Sequence, residues 1–185
     1  MLSGKTALVT GAAGDLGNAM ALQLAKNGAN VIMWDIKSAD DAQGRVDKVK
    51  EHRTIVKYQQ VDVRDRDAID LAIAEIETLD IVCSNAGIVD AQPFLEVTLD
   101  NWENTLDVNL TGCFNVCQSA ARKMVADKIQ GRIILTSSWV SSIPWPEITP
   151  YTVSKAGVNM LTKQMARELS SYGIRVNAVA PGIVD

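Results

Sequence analysis

Ala7-Leu8-Val9-Thr10-Gly11-Ala12-Ala13-Gly14-Asp15-Leu16-Gly17 decides the fold. A short apolar run ends in a turn of small residues, and the turn opens into a helical pattern. Backbone N–H groups of such a turn, with those of the helix's first turn, can converge on a pyrophosphate, and a further glycine lets the helix pack closely on the strand. The spacing alone is weak, because any tight strand-to-helix turn favours Gly. Its context carries the reading.

Outward from this turn, apolar runs alternate with helical periodicities along the 185 residues. Strands are expected at 6–10, 30–35, 54–63, 79–84, 132–136 and 174–178, and several read as continuous Val- and Ile-rich runs of the kind buried on both faces. Ile69, Ala72, Ile73 and Ile76 mark one helical face. Trp102, Leu106, Leu110, Cys113, Cys117 and Met124 mark a long second one, and Val158, Leu161, Met165 and Leu169 a third. Strand–helix alternation predicts a single α/β domain over 1–185, a Rossmann-type doubly wound parallel sheet with helices on both faces. The sequence ends at Pro181-Gly182-Ile183-Val184-Asp185, directly after the sixth strand pattern, and reads as a truncated part of a longer protein.

Composition narrows the function classes. With 47% hydrophobic and 22% charged residues and a net charge of −4, the chain has no basic nucleic-acid footprint. The longest uncharged stretches, 108–121 and 133–146, are too short and too polar to span a bilayer. Lys5 stands at the start of the first strand pattern, so no signal peptide is expected, and the chain reads as cytoplasmic. Three cysteines and the single His52 are too few for a zinc site or a disulfide framework, and argue against a Ser–His–Asp hydrolase. No metal is expected.

Two further features carry chemistry. Asp35 ends the second strand, 18 residues after Gly17, where a carboxylate can accept both ribose hydroxyls of an adenosine and repel a 2′-phosphate. Lys37 is the nearest group that could welcome that phosphate. NAD is therefore expected over NADP, with Asp35 as a helix-capping aspartate the bland alternative. Tyr151-Thr152-Val153-Ser154-Lys155 opens the third helical face and places Tyr151 and Lys155 on one side. An ammonium beside a phenol favours the phenolate, so the pair reads as a proton donor and acceptor, or else as an incidental amphipathic pair.

Together these segments resemble a classical short-chain dehydrogenase/reductase over the whole chain. Thr10-Gly11…Gly17 is similar to that family's cofactor turn, with Asp15 and Leu16 inside it, and Asp62-Val63 stands where the family contacts adenine. Asn85-Ala86-Gly87 matches its fourth-strand motif, and Val108-Asn109-Leu110-Thr111-Gly112 resembles the segment with its active-site asparagine. Ser138 lies 13 residues before Tyr151, the family spacing, with Ser137 chemically equivalent beside it. Arg175-Val176-Asn177-Ala178-Val179-Ala180-Pro181-Gly182 resembles the sixth strand and the loop beneath the nicotinamide, a loop that reaches Val184.

The resemblance implies an NAD-dependent oxidoreductase that moves a hydride between nicotinamide and a secondary alcohol or ketone. Tyr151 would be the general acid/base, and Lys155 would tune it and hold the nicotinamide ribose. Ser138 would hold the substrate oxygen, and Asn109 would relay protons through water or be a core amide satisfied by backbone. It also implies a homodimer or homotetramer, and a C-terminal lid and seventh strand beyond this sequence.

Residues 139–150 should line the substrate pocket, with Trp145 a candidate contact suited to an apolar or cyclic substrate body; packing against a lid or a second subunit is the alternative. One departure stands out. Asp15 occupies the place of the family's middle glycine, with Gly14 one position early, and could cap the first helix or bring a charge to the pyrophosphate. That glycine spacing is shared with the extended branch of the superfamily, which acts on nucleotide sugars. A catalytically silent NAD-binding scaffold is the third reading.

Overall fold

The computed structural model describes residues 2–52 and 54–183. The strands β1 (Thr6–Thr10), β2 (Asn30–Asp35), β3 (Val56–Gln60), β4 (Ile81–Ser84), β5 (Arg132–Thr136) and β6 (Arg175–Val179) form a sheet in the order β3-β2-β1-β4-β5-β6. Every pairing is parallel. The order reverses between β1 and β4, which places a crevice at the carboxyl ends of those strands. The expected doubly wound sheet is present. Strands β1, β2 and β5 fall where the sequence placed them, β3 and β4 are shorter, and β6 is shifted by one residue.

Strand alternation sorts the core into two layers. Ala7, Val9, Val31, Met33, Ile81 and Cys83 face α1 (Asp15–Lys26) and α2 (Ala39–Lys50). Leu8, Ile32, Trp34, Val82, Ile133 and Leu135 face the other layer, which contains α3 (Arg66–Ala74), α5 (Cys113–Ala126) and α6 (Thr149–Leu169). Helix α1 buries Gly17, Asn18, Ala21 and Ala25, and these small residues let it sit close on β1 and β2. Trp34 is fully buried and donates its indole N–H to Gln59 Oε1 at 2.7 Å, so burying the ring leaves no orphan donor. Cys113 and Cys117 fill the second layer.

The long second helix differs from its predicted stripe. Helix α4 (Leu99–Leu106) runs into a π-helical segment, Asp107–Gly112, and only then into α5. A π turn adds a residue and rotates the inward face. The buried side chains of α4 are accordingly Asn101 and Thr105, while Trp102 and Leu106 are half-buried. The π segment turns Asn109 fully inward. Among the described residues, no helix is long and apolar enough to cross a membrane.

Candidate active site

Gly11 adopts φ +64°, and a Cβ there would lie 2.9 Å from Ala86 Cα. Only glycine fits both the backbone and the approach of β4. Gly14 is the N-cap of α1 and makes no side-chain capping bond. Asp15 is therefore the first helical residue rather than the cap that the sequence allowed. Its side chain is 92% exposed and pairs with Arg45 of α2.

Around this turn lies a cavity of about 730 Å³ at the carboxyl ends of the strands. Gly11, Asp15, Leu16, Gly17, Asp35, Asp62, Val63, Asn85, Ala86, Gly87, Tyr151 and Lys155 line it, bringing most of the sequence candidates into one space. Asp35 is buried, and its carboxylate is fixed from both sides. Oδ2 accepts the Ala13 N–H at 2.8 Å, and Oδ1 accepts the Lys37 N–H at 3.1 Å. The cap of α2 is Ser38, so Asp35 is not a helix cap. Tyr58 donates its hydroxyl to the Lys37 carbonyl at 2.6 Å and steadies the loop after Asp35. Burial and the charges of Asp35 and Asp41 push that phenol up to about 12, so it remains a donor. Arg64 grips Asp62 through its side chain, and that hydrogen bond holds the Asp62 carboxyl below its usual range.

A relay of hydrogen bonds links the glycine turn to the tyrosine end. Thr10 Oγ1 accepts the N–H groups of Asn85 and Ala86 at 2.9 and 3.0 Å. Thr136 donates its hydroxyl to Asn85 Oδ1 at 3.1 Å, and Lys155 Nζ donates to the Thr136 carbonyl at 2.8 Å. The ammonium lies 5.4 Å from the centre of the Tyr151 ring. Ser137 donates to the Lys155 carbonyl, and Ser138 accepts the Val140 N–H at 3.4 Å. Asn109 accepts the Ile88 N–H and donates to both the Ile88 carbonyl and Ser154 Oγ. Its amide is thus satisfied largely by backbone.

Some candidates lie elsewhere. Asn109 and Ser138 are buried and are not among the residues that line the cavity. Trp145 lies outside the cavity, because the turn after Ser138 carries it against Trp139 in an edge-to-face pair with centroids 5.3 Å apart. Pro181 also lies off the cavity and accepts the Trp139 N–H through its carbonyl, and a Cβ at Gly182 would meet nothing within 4 Å. Val184 falls outside the described residues. Among the lining residues that sequence reasoning missed, Ile36, Val61, Arg64, Ile88 and Val89 stand within two positions of a candidate site residue, and that proximity was the available signal. Asn104 of α4 offered none.

Burial pulls the Lys155 ammonium down to about 8, from 10.5. Below pH 8 the lysine is charged in both folded and unfolded chains, and folding bears its desolvation. From there to about 10.5 the unfolded chain holds the extra proton, so this group's contribution to stability rises with pH. Lys155→Met is therefore expected to stabilise the ligand-free protein by about 1–2 kcal/mol at pH 7, net of the lost Thr136 bond. The gain should fade above pH 8. Urea unfolding across pH checks this, and a variant less stable than the parent at pH 7 rejects it.

Comparison with known proteins agrees with this architecture. The sequence model of the short chain dehydrogenase family matches residues 5–185. The chain is 38% identical over 188 aligned positions to 3beta-hydroxysteroid dehydrogenase 1 of Eggerthella lenta, covering 100% of this chain and 72% of that one. A short-chain type dehydrogenase/reductase from Mycobacterium marinum superposes with a TM-score of 0.94 at 37% identity, covering 98% of this chain and 75% of its own. A short chain dehydrogenase from Mycobacterium paratuberculosis bound to NAD superposes with a TM-score of 0.92 at 33% identity, covering 100% and 74%. With this match along nearly its full length, the chain belongs to the short chain dehydrogenase family.

Proposed function

We propose that this chain is an NAD-dependent oxidoreductase acting on a secondary alcohol or its ketone, with Tyr151 as general acid/base. One observation carries the reading: a single cavity has the glycine turn and Asp35 at one end and Tyr151 with Lys155 at the other. The residues suit a dinucleotide. Side chains at Gly11 and Gly17 would strike the backbone that shapes the turn, and the uncapped start of α1 offers free N–H groups to a pyrophosphate. The fixed, buried Asp35 carboxylate suits a ribose diol. Bound NAD would supply the hydride acceptor.

The chain's own residues would do the rest. In the oxidative direction the Tyr151 oxygen takes the proton from the substrate hydroxyl. Lys155, charged below about pH 8, lies against the Tyr151 ring and would hold the nicotinamide ribose. Ser138 would orient the substrate oxygen, and Asn109, whose Oδ1 stands with the Lys155 ammonium beside Gly87, would relay the proton toward Lys155 through water. A secondary alcohol on a cyclic, apolar body fits the hydroxysteroid activity named for the Eggerthella lenta relative. None of the relatives named here is a nucleotide-sugar enzyme, and that alternative gains no support.

Mixing the protein with NAD or NADP and a panel of hydroxysteroids and other cyclic secondary alcohols tests the reading through nicotinamide absorbance. Reduction of NAD in preference to NADP is expected. Turnover with NADP alone would overturn the cofactor assignment, and none with any alcohol or ketone would overturn the activity. Asp35→Asn removes the charge while keeping the shape. It should weaken NAD binding about tenfold and shrink discrimination against NADP about tenfold. An unchanged preference would relieve Asp35 of that role.

A further inference from the structure

Asp15 puts a negative charge at the first position of α1, in the turn read above as the pyrophosphate cradle. The wrong sign at such a place calls for compensation. The structure holds one: Arg45, in the middle of α2, pairs its guanidinium with Asp15 Oδ1. Arg45 is itself held in place. Its carbonyl accepts the side-chain N–H of Asn18 at 3.2 Å, and Asn18 is 2% exposed, one turn beyond Asp15 on the same helix. The Asn18 N–H in turn bonds the Gly14 carbonyl at 2.9 Å. Helix α2 is thereby registered against the start of α1, with its arginine over the aspartate.

We propose that Arg45 is a positioning residue for dinucleotide binding, acting through Asp15. It draws the carboxylate outward to the helix surface and neutralises it, so that the turn presents N–H groups to a pyrophosphate. This rests on the dinucleotide reading above. An exposed pair of this kind adds little to stability. Its effect falls instead on a third, doubly charged party close by, through Coulomb repulsion that salt screens.

Calorimetric titration of NAD at low ionic strength tests the idea without reference to turnover. Four proteins are compared: the parent, Arg45→Gln, Asp15→Asn and the double variant. Arg45→Gln should weaken binding about three- to tenfold, and Asp15→Asn should tighten it about two- to fivefold. The double variant should match Asp15→Asn, and the Arg45→Gln loss should shrink at high salt. Opposite signs for the two single variants separate this role from a structural one, in which breaking the pair from either side would have the same effect. Arg45→Gln overturns the proposal if it changes nothing, or if it loses as much in the Asp15→Asn background. If the parent binds no dinucleotide, the reading of the cavity falls and this proposal with it. Binding by the parent with no coupling between the two residues defeats this proposal alone.

Discussion

Tyr151→Phe is expected to lower kcat/KM for alcohol oxidation by about 10²–10⁴-fold, the range supplied by a positioned general acid/base. The substitution removes one oxygen and keeps nearly everything else. The ring remains in the first turns of α6, opposite the Lys155 ammonium. Ser154 still donates to the backbone carbonyl of residue 151 at 2.7 Å. The lysine bond to the Thr136 carbonyl does not involve the phenol. NAD affinity should therefore stay within about threefold, and stability within about 0.5 kcal/mol of the parent. The split is the informative part: proton transfer lost, binding kept. Single-turnover kinetics with NAD titration on the same sample would show it. A Phe variant with more than a tenth of parental kcat/KM would remove Tyr151 from the chemistry.

The fold was legible because its signals are local. The apolar runs of β1, β2 and β5 end at polar or small residues, and the helix that follows β1 announces itself through Gly11 and Gly17. Tyr151 and Lys155 are four apart on a helix, so their meeting follows from periodicity. The π segment at Asp107–Gly112 was not legible. The apolar spacing from Trp102 to Met124 fits one regular helix, and what breaks it is distant. The Asn109 amide reaches Ile88 on the loop after β4 and Ser154 on α6, contacts set by tertiary placement alone. The Asp15–Arg45 pair was hidden for the same reason, since 30 residues and a strand separate its members. The Trp145–Trp139 pair was not legible either, because composition suggests an apolar wall but does not say which way a turn points it. Local pattern thus gave the scaffold and the proton-transfer pair, while the contacts that orient them are long-range.

Gly17→Ala should be the most damaging single methyl in the chain. A Cβ at residue 17 would stand 2.1 Å from the Gly11 carbonyl oxygen, 2.8 Å from its carbon and 2.9 Å from Asn85 Nδ2. The first two are backbone atoms of the turn itself and cannot rotate away. Relief requires α1 to lift from β1, which loosens the buried contacts of Ala21 and Ala25 and displaces the N–H groups at the helix start. The expected cost is about 2–4 kcal/mol of stability. NAD affinity should fall about 100-fold, because an anion site built from convergent N–H groups depends on their geometry. Gly14→Ala is the control. Its Cβ would meet only the Gly11 oxygen, at 3.4 Å, an ordinary contact at a position with extended backbone. That variant should lose less than about 1 kcal/mol, with the change confined to a weaker N-cap residue. Equal melting of the two variants would show that the turn can open at no cost, and the close packing of α1 would then not be what shapes the cradle.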